Sequence, residues 1–135
     1  MRPLITTIIA AAVLVGGPAA AKEKLEPEAR LAKLLEGRVA GEPQNCIPLA
    51  SISSSQIIDK TAIVYKVGST YWVNRPKSGA ESLDDDDILV TKLPTNQLCS
   101  IDTVQLHDRS SRMWSGFVSL GDFVPYRKVK TAAVQ

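Results

Sequence analysis

His107 is the only histidine in the chain, so any metal site or nucleophile–base pair built on imidazole must use it. A triad would need a carboxylate on its Nδ1 side, and Asp102 stands in the same extended run. That spacing puts the two side chains on opposite faces of a strand, and Asp108, the next residue, points away as well. The chain has no G-x-S-x-G elbow, and a single histidine rules out the H-x-x-x-H and H-E-x-x-H zinc patterns. The residue types predict an exposed strand-end histidine, with no catalytic residue and no metal or cofactor site. The enzymatic alternative is a small periplasmic hydrolase that joins His107 to carboxylates from separate strands.

The run Asp84 to Asp87 is the most conspicuous charge feature. Calcium takes about six to eight oxygen ligands, which EF-type loops gather from alternating positions around a glycine bend. Here the carboxylates are consecutive and the next residue enters a strand, so a solvated, self-repelling loop is expected. Tyr71, Trp72, Arg75, Trp114 and Tyr126 are the residues from which an aromatic and cationic surface could be built. Of these, Tyr71, Arg75 and Trp114 are the binding candidates. Alternation places Tyr71 and Trp72 on opposite faces of one strand, so a one-sided sheet would bury only one of them.

Which compartment these residues work in follows from the start of the chain. Arg2, the apolar stretch Leu4 to Val15, the break Gly16-Gly17-Pro18 and the small residues Ala19-Ala20-Ala21 follow the order of a secretory signal peptide. Cleavage after Ala21 would leave a mature chain beginning at Lys22, of 135 − 21 = 114 residues, in the periplasm or secreted. The 16 basic and 14 acidic side chains become 15 and 14 once Arg2 is gone. So near-neutral a balance offers no field for nucleic acid, and no stretch of about 18 apolar residues exists to span a bilayer.

Export changes the meaning of Cys46 and Cys99, because a pair of cysteines in a small exported domain is usually bridged. No C-x-x-C redox spacing is present. Closing so long a loop is worth about 4 kcal/mol through restriction of the unfolded chain.

The elements that must position these residues are mostly short strands. Lys22 to Gly37 reads as one helix: Pro27 suits its first turn, Glu26 and Glu28 its positive end and Gly37 its close, with Leu31, Leu34 and Leu35 as the apolar stripe. From Cys46 onward the pattern is β-prone: Ser53 to Ile58 and Thr61 to Val67 around an Asp59-Lys60 turn, then Thr70 to Asn74, Ile88 to Lys92, Leu98 to His107, Trp114 to Ser119 and a short run at Phe123-Val124. Ile63, Tyr65 and Val67 share one face, as do Leu98, Val104 and Leu106, while Val64 and Ile101 are apolar on the other. Cover on both faces predicts a mainly β domain: a small antiparallel rolled sheet or barrel of about six strands, with one N-terminal helix. The boundaries are a signal peptide over 1–21, helix and linker over 22–45, a stapled β domain over 46–126 and a loose tail over 127–135. Arg75 to Asp87 is the longest loop.

The order Cys46-Ile47, Ile58-Asp59, Thr61 to Tyr65, Tyr71 to Arg75, Leu98 to Asp102 and Leu120 to Phe123 resembles a family of small exported bacterial proteins to which no activity is assigned. Its pattern runs C-I, V-x-D, an extended apolar run, Y-x-x-N, L-C-x-x-D and C-x-L-G-x-F, and the likeness covers about residues 46–125. Family members carry further cysteines near Ser78 and at the position of Ser119. Losing both is what removal of one bridge as a pair looks like, so the resemblance implies Cys46–Cys99 as the bridge that remains. It leaves open whether Asp59, Asn74 and Asp102 shape turns or bind. The functional expectation is a non-catalytic, extracytoplasmic module that meets an envelope protein or a small ligand through the rim around Arg75 to Asp87.

Overall fold

The structure is a computed structural model that describes residues 16–17 and 25–129. The signal peptide expected over 1–21 lies, apart from Gly16 and Gly17, outside the described residues, as do Lys22 to Lys24 of the expected helix and residues 130–135 of the expected tail.

Helix α1 spans Pro27–Leu34, with Pro27 at its first position, Glu28 in the first turn and Lys33 in the last. Gly37 follows with a positive φ of 74° and turns the chain into β1 (Arg38–Ala40). Then come β2 (Cys46–Pro48), β3 (Ile52–Ile58), β4 (Ala62–Val67), β5 (Thr70–Asn74), β6 (Asp87–Val90), β7 (Gln97–Cys99), β8 (Thr103–Asp108), β9 (Trp114–Ser119) and β10 (Phe123–Lys128). Every pairing is antiparallel, in three sheets: β1-β10-β5-β4-β3, β2-β7 and β6-β8-β9.

The mainly β, antiparallel class with one N-terminal helix is the expected one, but among the described residues the strands number ten rather than about six and close no barrel. The difference has local causes. The run Leu98 to His107 divides into β7 and β8, because the Asp102 N–H donates to the Cys99 carbonyl (3.0 Å) while Asp102 Oδ2 accepts from the Cys99 N–H (2.7 Å). Ile101 is consequently an exposed turn residue and not the reverse face of a strand. Strand β1 lies where a linker was expected and β2 opens the β domain ahead of its first expected strand, each held by a distant partner, β10 and β7 respectively. Arg127 and Lys128, read as the start of a tail, continue β10 opposite Val39 and Arg38.

Alternation on β4 distributes the core. Ile63 and Tyr65 enter the main cluster with Ile47, Leu98, Val104, Leu106, Val118, Leu120 and Phe123. Ala62 and Val64 face the other way, into a second cluster beneath Leu31 of α1, with Leu34 and Leu35 packed at its margin. The helix therefore docks on the sheet of its own chain, as a helix this short must to persist. Trp72 belongs to the main cluster and Tyr71 packs at the margin of the second, so both faces of β5 are covered.

The buried Tyr65 hydroxyl has no hydrogen-bond partner among the described residues, and burial pushes its pKa well up. An unsatisfied buried hydroxyl costs about 1–3 kcal/mol. Tyr65→Phe is therefore expected to raise the urea midpoint, by about 1 kcal/mol in stability. A lower midpoint would mean that the hydroxyl is bonded in solution.

Ser78 and Ser119, where the resemblance places a second bridge, lie opposite each other in an isolated antiparallel bridge, with the Ser119 N–H donating to the Ser78 carbonyl at 3.0 Å. Cross-strand neighbours are within disulfide reach. The pair Ser78→Cys and Ser119→Cys is expected to oxidise spontaneously and to stabilise by at most about 4 kcal/mol, less because the first bridge already restrains the same stretch. Two thiols persisting in air, by mass after alkylation, would contradict this pairing.

Candidate functional site

The sequence-derived candidates are not brought together. Tyr71 lies near the start of β5 in the five-stranded sheet and Arg75 just past the other end of that strand, whereas Trp114 begins β9 in the three-stranded sheet. Tyr71 has the Arg38 guanidinium 3.8 Å over its ring. Arg75 donates from both terminal nitrogens to the two Glu28 oxygens, at 2.8 and 3.1 Å, and so clamps the loop after β5 to the first turn of α1. Both thus have partners within the chain. The Arg75 to Asp87 segment is also less of a loop than expected: Ala80–Ser82 forms a 3-10 turn, and Leu83 is buried in the main cluster while its carbonyl accepts from the Lys60 N–H.

The Arg75 guanidinium holds the Glu28 carboxyl below its ordinary pKa of 4.5, by hydrogen bonding first and charge second, and Glu28 in turn raises Arg75. A depressed carboxyl pKa stabilises the fold above the unfolded value and loses that contribution as pH falls through the folded value. The pair is solvent-exposed, so its worth is about 0.2–1 kcal/mol and falls with salt. Glu28→Gln is expected to flatten stability against pH below about 4.5 while changing it little at neutral pH, as acid titrations of the urea midpoint would show.

The polar residues carried by the resemblance all bind backbone. Asp59 Oδ1 accepts from the Asp85 N–H (2.7 Å), Asp102 from the Cys99 N–H (2.7 Å), and Asn74 bonds both backbone groups of Gly121. Asp59, Asp84 and Asp85 gather carboxylate oxygens within 4.8 Å of one another. A positive charge is already there: Arg30 Nη1 of α1 lies 3.0 Å from Asp85 and 3.5 Å from Asp59. The Asp84 to Asp87 run is therefore partly an ion-pair network tying helix to sheet rather than a wholly solvated loop.

His107 is paired with Ile88 and Trp114 on β8, and its ring nitrogens face the Arg112 carbonyl (3.4 Å) and the Gln105 amide oxygen (3.5 Å). Asp102, which the spacing already set on the opposite face from His107, lies before β8 and spends its carboxylate on the Cys99 N–H.

Two features are new relative to the sequence reading. The first is an exposed apolar surface on the β8–β9 hairpin, where Met113, Trp114 and Phe117 are 70%, 59% and 51% exposed. Trp114 and Phe117 stack at 6.4 Å between ring centroids, 22° from parallel. Residues three apart on a regular strand face opposite ways. They share a face here because the register shifts: Leu106 pairs with Gly116 but His107 with Trp114, leaving Ser115 as an extra residue. The Ser115 hydroxyl donates to the buried Asp87 carboxylate at 3.0 Å, which fixes the irregularity to β6.

The second is a groove of about 510 Å³ between Ser55, Gln56 and Ile57 of β3 and Asp87, Ile88 and Leu89 of β6, its lining completed by Arg30, Asp85, Asp86 and Arg109. Both strands are outermost in their sheets. Neither feature has a periodic signal, since one depends on an inserted residue and the other on strands widely separated in sequence.

Comparison with known proteins gives no match to any family model, curated protein or solved structure. The site therefore has to be read from its own chemistry.

Proposed function

We propose that the protein is a non-catalytic binding module that works outside the cytoplasm, in the periplasm or after secretion, where it holds a partner protein of the envelope. The observation that carries this reading is the stacked Trp114–Phe117 pair with Met113, held outward on a hairpin whose strands are locked to β6. Rigid, exposed aromatic side chains are the usual anchors of protein interfaces. The Cys46–Cys99 bridge supports an oxidising compartment, and no helix among the described residues is long and apolar enough to cross a membrane. Kinship with the small exported bacterial family is part of the same proposal, supported by the apposition of Ser78 and Ser119. The environment of His107 offers nothing that favours the hydrolase alternative.

The test is a photo-crosslinking amino acid placed at Trp114 in the exported protein in cells, with the same residue at exposed Glu42 as control. A discrete adduct formed from position 114 and absent from 42 is the expected result. Equal, diffuse labelling from both positions would refute the proposal.

A further inference from the structure

We propose that β3 and β6 form a slot for strand insertion, which takes one extended segment of a partner polypeptide bearing lysine or arginine side chains. The inference rests on the binding-module reading but uses a surface other than the Trp114 hairpin.

An outermost strand presents unpaired N–H and C=O groups along its free side, and proteins ordinarily blunt such an edge with charge, proline or a bulge. The irregularity of β3 is confined to its start, between Ile52 and Ser54; from Ser54 to Ile58 its pairing with β4 is continuous. The exposed stretch Ser53-Ser54-Ser55-Gln56 contains neither a charge nor a proline. Strand β6 is paired without a break to β8 and, among the described residues, has no strand on its other side. Two edges with no further strand beside them among the described residues thus line the same groove. A strand entering between them would satisfy backbone groups on both of its sides, whereas ordinary edge addition satisfies one.

Size agrees with this occupant. One residue of extended chain takes about 3.3 Å along the strand, 4.8 Å between strands and 10 Å through the sheet, or about 160 Å³. The groove of about 510 Å³ therefore accommodates roughly three residues, the number each wall contributes.

Charge selects among such segments. Three carboxylates, Asp85, Asp86 and Asp87, line the groove against two guanidinium groups, Arg30 and Arg109, for a balance of 2 − 3 = −1. Arg30 is already engaged by Asp59 and Asp85, and Asp87 by Ser115. Asp86 and Arg109 are both exposed and neither side chain has a partner among the described residues, so the balance of −1 stands, with Asp86 as its accessible carboxylate. A basic side chain on the inserted strand answers that carboxylate.

The test uses the mature, disulfide-bonded protein and three capped peptides: Lys-Val-Lys-Val-Lys, the same peptide with alternate backbone amides methylated, and Glu-Val-Glu-Val-Glu. Amide NMR is expected to show saturable shifts on both walls, at residues 55–57 and 87–89, for the first peptide alone. Backbone methylation and Asp86→Lys should each weaken binding by about ten-fold or more, while a change at exposed Glu42, Glu42→Gln, should leave it unchanged. A methylated peptide that binds as tightly as its parent would reduce the interaction to charge and overturn the slot. So would shifts limited to one wall, or the absence of any shift at millimolar peptide. If these failures occur while the position-114 adduct persists, only the slot is wrong; loss of that adduct as well removes the binding-module reading itself.

Discussion

Replacement of Asn74 by alanine is expected to cost about 3–5 kcal/mol, measured as a fall in the urea midpoint at unchanged slope. Asn74 is fully buried at the end of β5, between Ile63 of β4 and Phe123 of β10. Its Nδ2 donates to the Gly121 carbonyl at 2.7 Å and its Oδ1 accepts from the Gly121 N–H at 2.9 Å. Alanine would strand both backbone groups in the interior, at about 1–3 kcal/mol each, and would leave a small cavity besides. Out of a typical 5–15 kcal/mol, that is enough to threaten folding at body temperature. Aspartate is no remedy, since its second oxygen would face the Gly121 carbonyl. Gly121 is constrained from the other side too: a Cβ there would fall on the Arg75 carbonyl oxygen, so Gly121→Ala must push β5 and the β9–β10 turn apart. A loss below about 1 kcal/mol for Asn74→Ala would show that water replaces the amide, and that Asn74 has a task other than holding this turn.

What could be read from the chain beforehand was whatever depends on neighbours in sequence. The alternation of Ile63, Val64 and Tyr65 placed residues on the correct sides of β4, because a strand's side chains alternate whatever it pairs with. The position of the turn at Asp59-Lys60 was likewise legible, but the loop holds three residues, Asp59 to Thr61, between the paired Ile58 and Ala62, and only Lys60 takes a left-handed φ, of 53°. Pro27 marked the first turn of α1, although the helix expected over Lys22 to Gly37 spans Pro27–Leu34. The features that escaped depend on distant partners or on a single side-chain hydrogen bond. Strands β1 and β2 exist because β10 and β7 lie beside them. The run through Ile101 is uniformly β-prone, and only the Asp102 carboxylate turning back to Cys99 breaks it. At the site, Trp114 was visible as a candidate but Phe117 was not, because period-2 reasoning sends the two to opposite faces. Tyr71 and Arg75 looked available only because Arg38 and Glu28 could not be placed against them.

Loss of the Cys46–Cys99 bridge is expected to lower stability by about 4 kcal/mol, whether by reductant or by the pair Cys46→Ser and Cys99→Ser. The bridge spans a sequence separation of 53 and joins directly paired residues of β2 and β7. That two-stranded sheet has only three residue pairs, fewer than a free-standing ladder needs, yet it carries Ile47 and Leu98 into the main cluster. Covalent closure therefore acts twice, shortening the list of unfolded conformations and keeping two core residues in place. The two contributions can be separated. Introducing cysteines at Ser78 and Ser119 into the double serine variant closes a different loop without touching β2 or β7. If chain entropy dominates, that second bridge restores most of the lost midpoint; if local packing dominates, the midpoint stays low and the amides of residues 46–48 and 97–99 exchange early. A midpoint that reductant leaves unaltered, with thiols shown to be free, would remove the bridge from the energetics altogether and with it the reason a domain of this size would need an oxidising compartment.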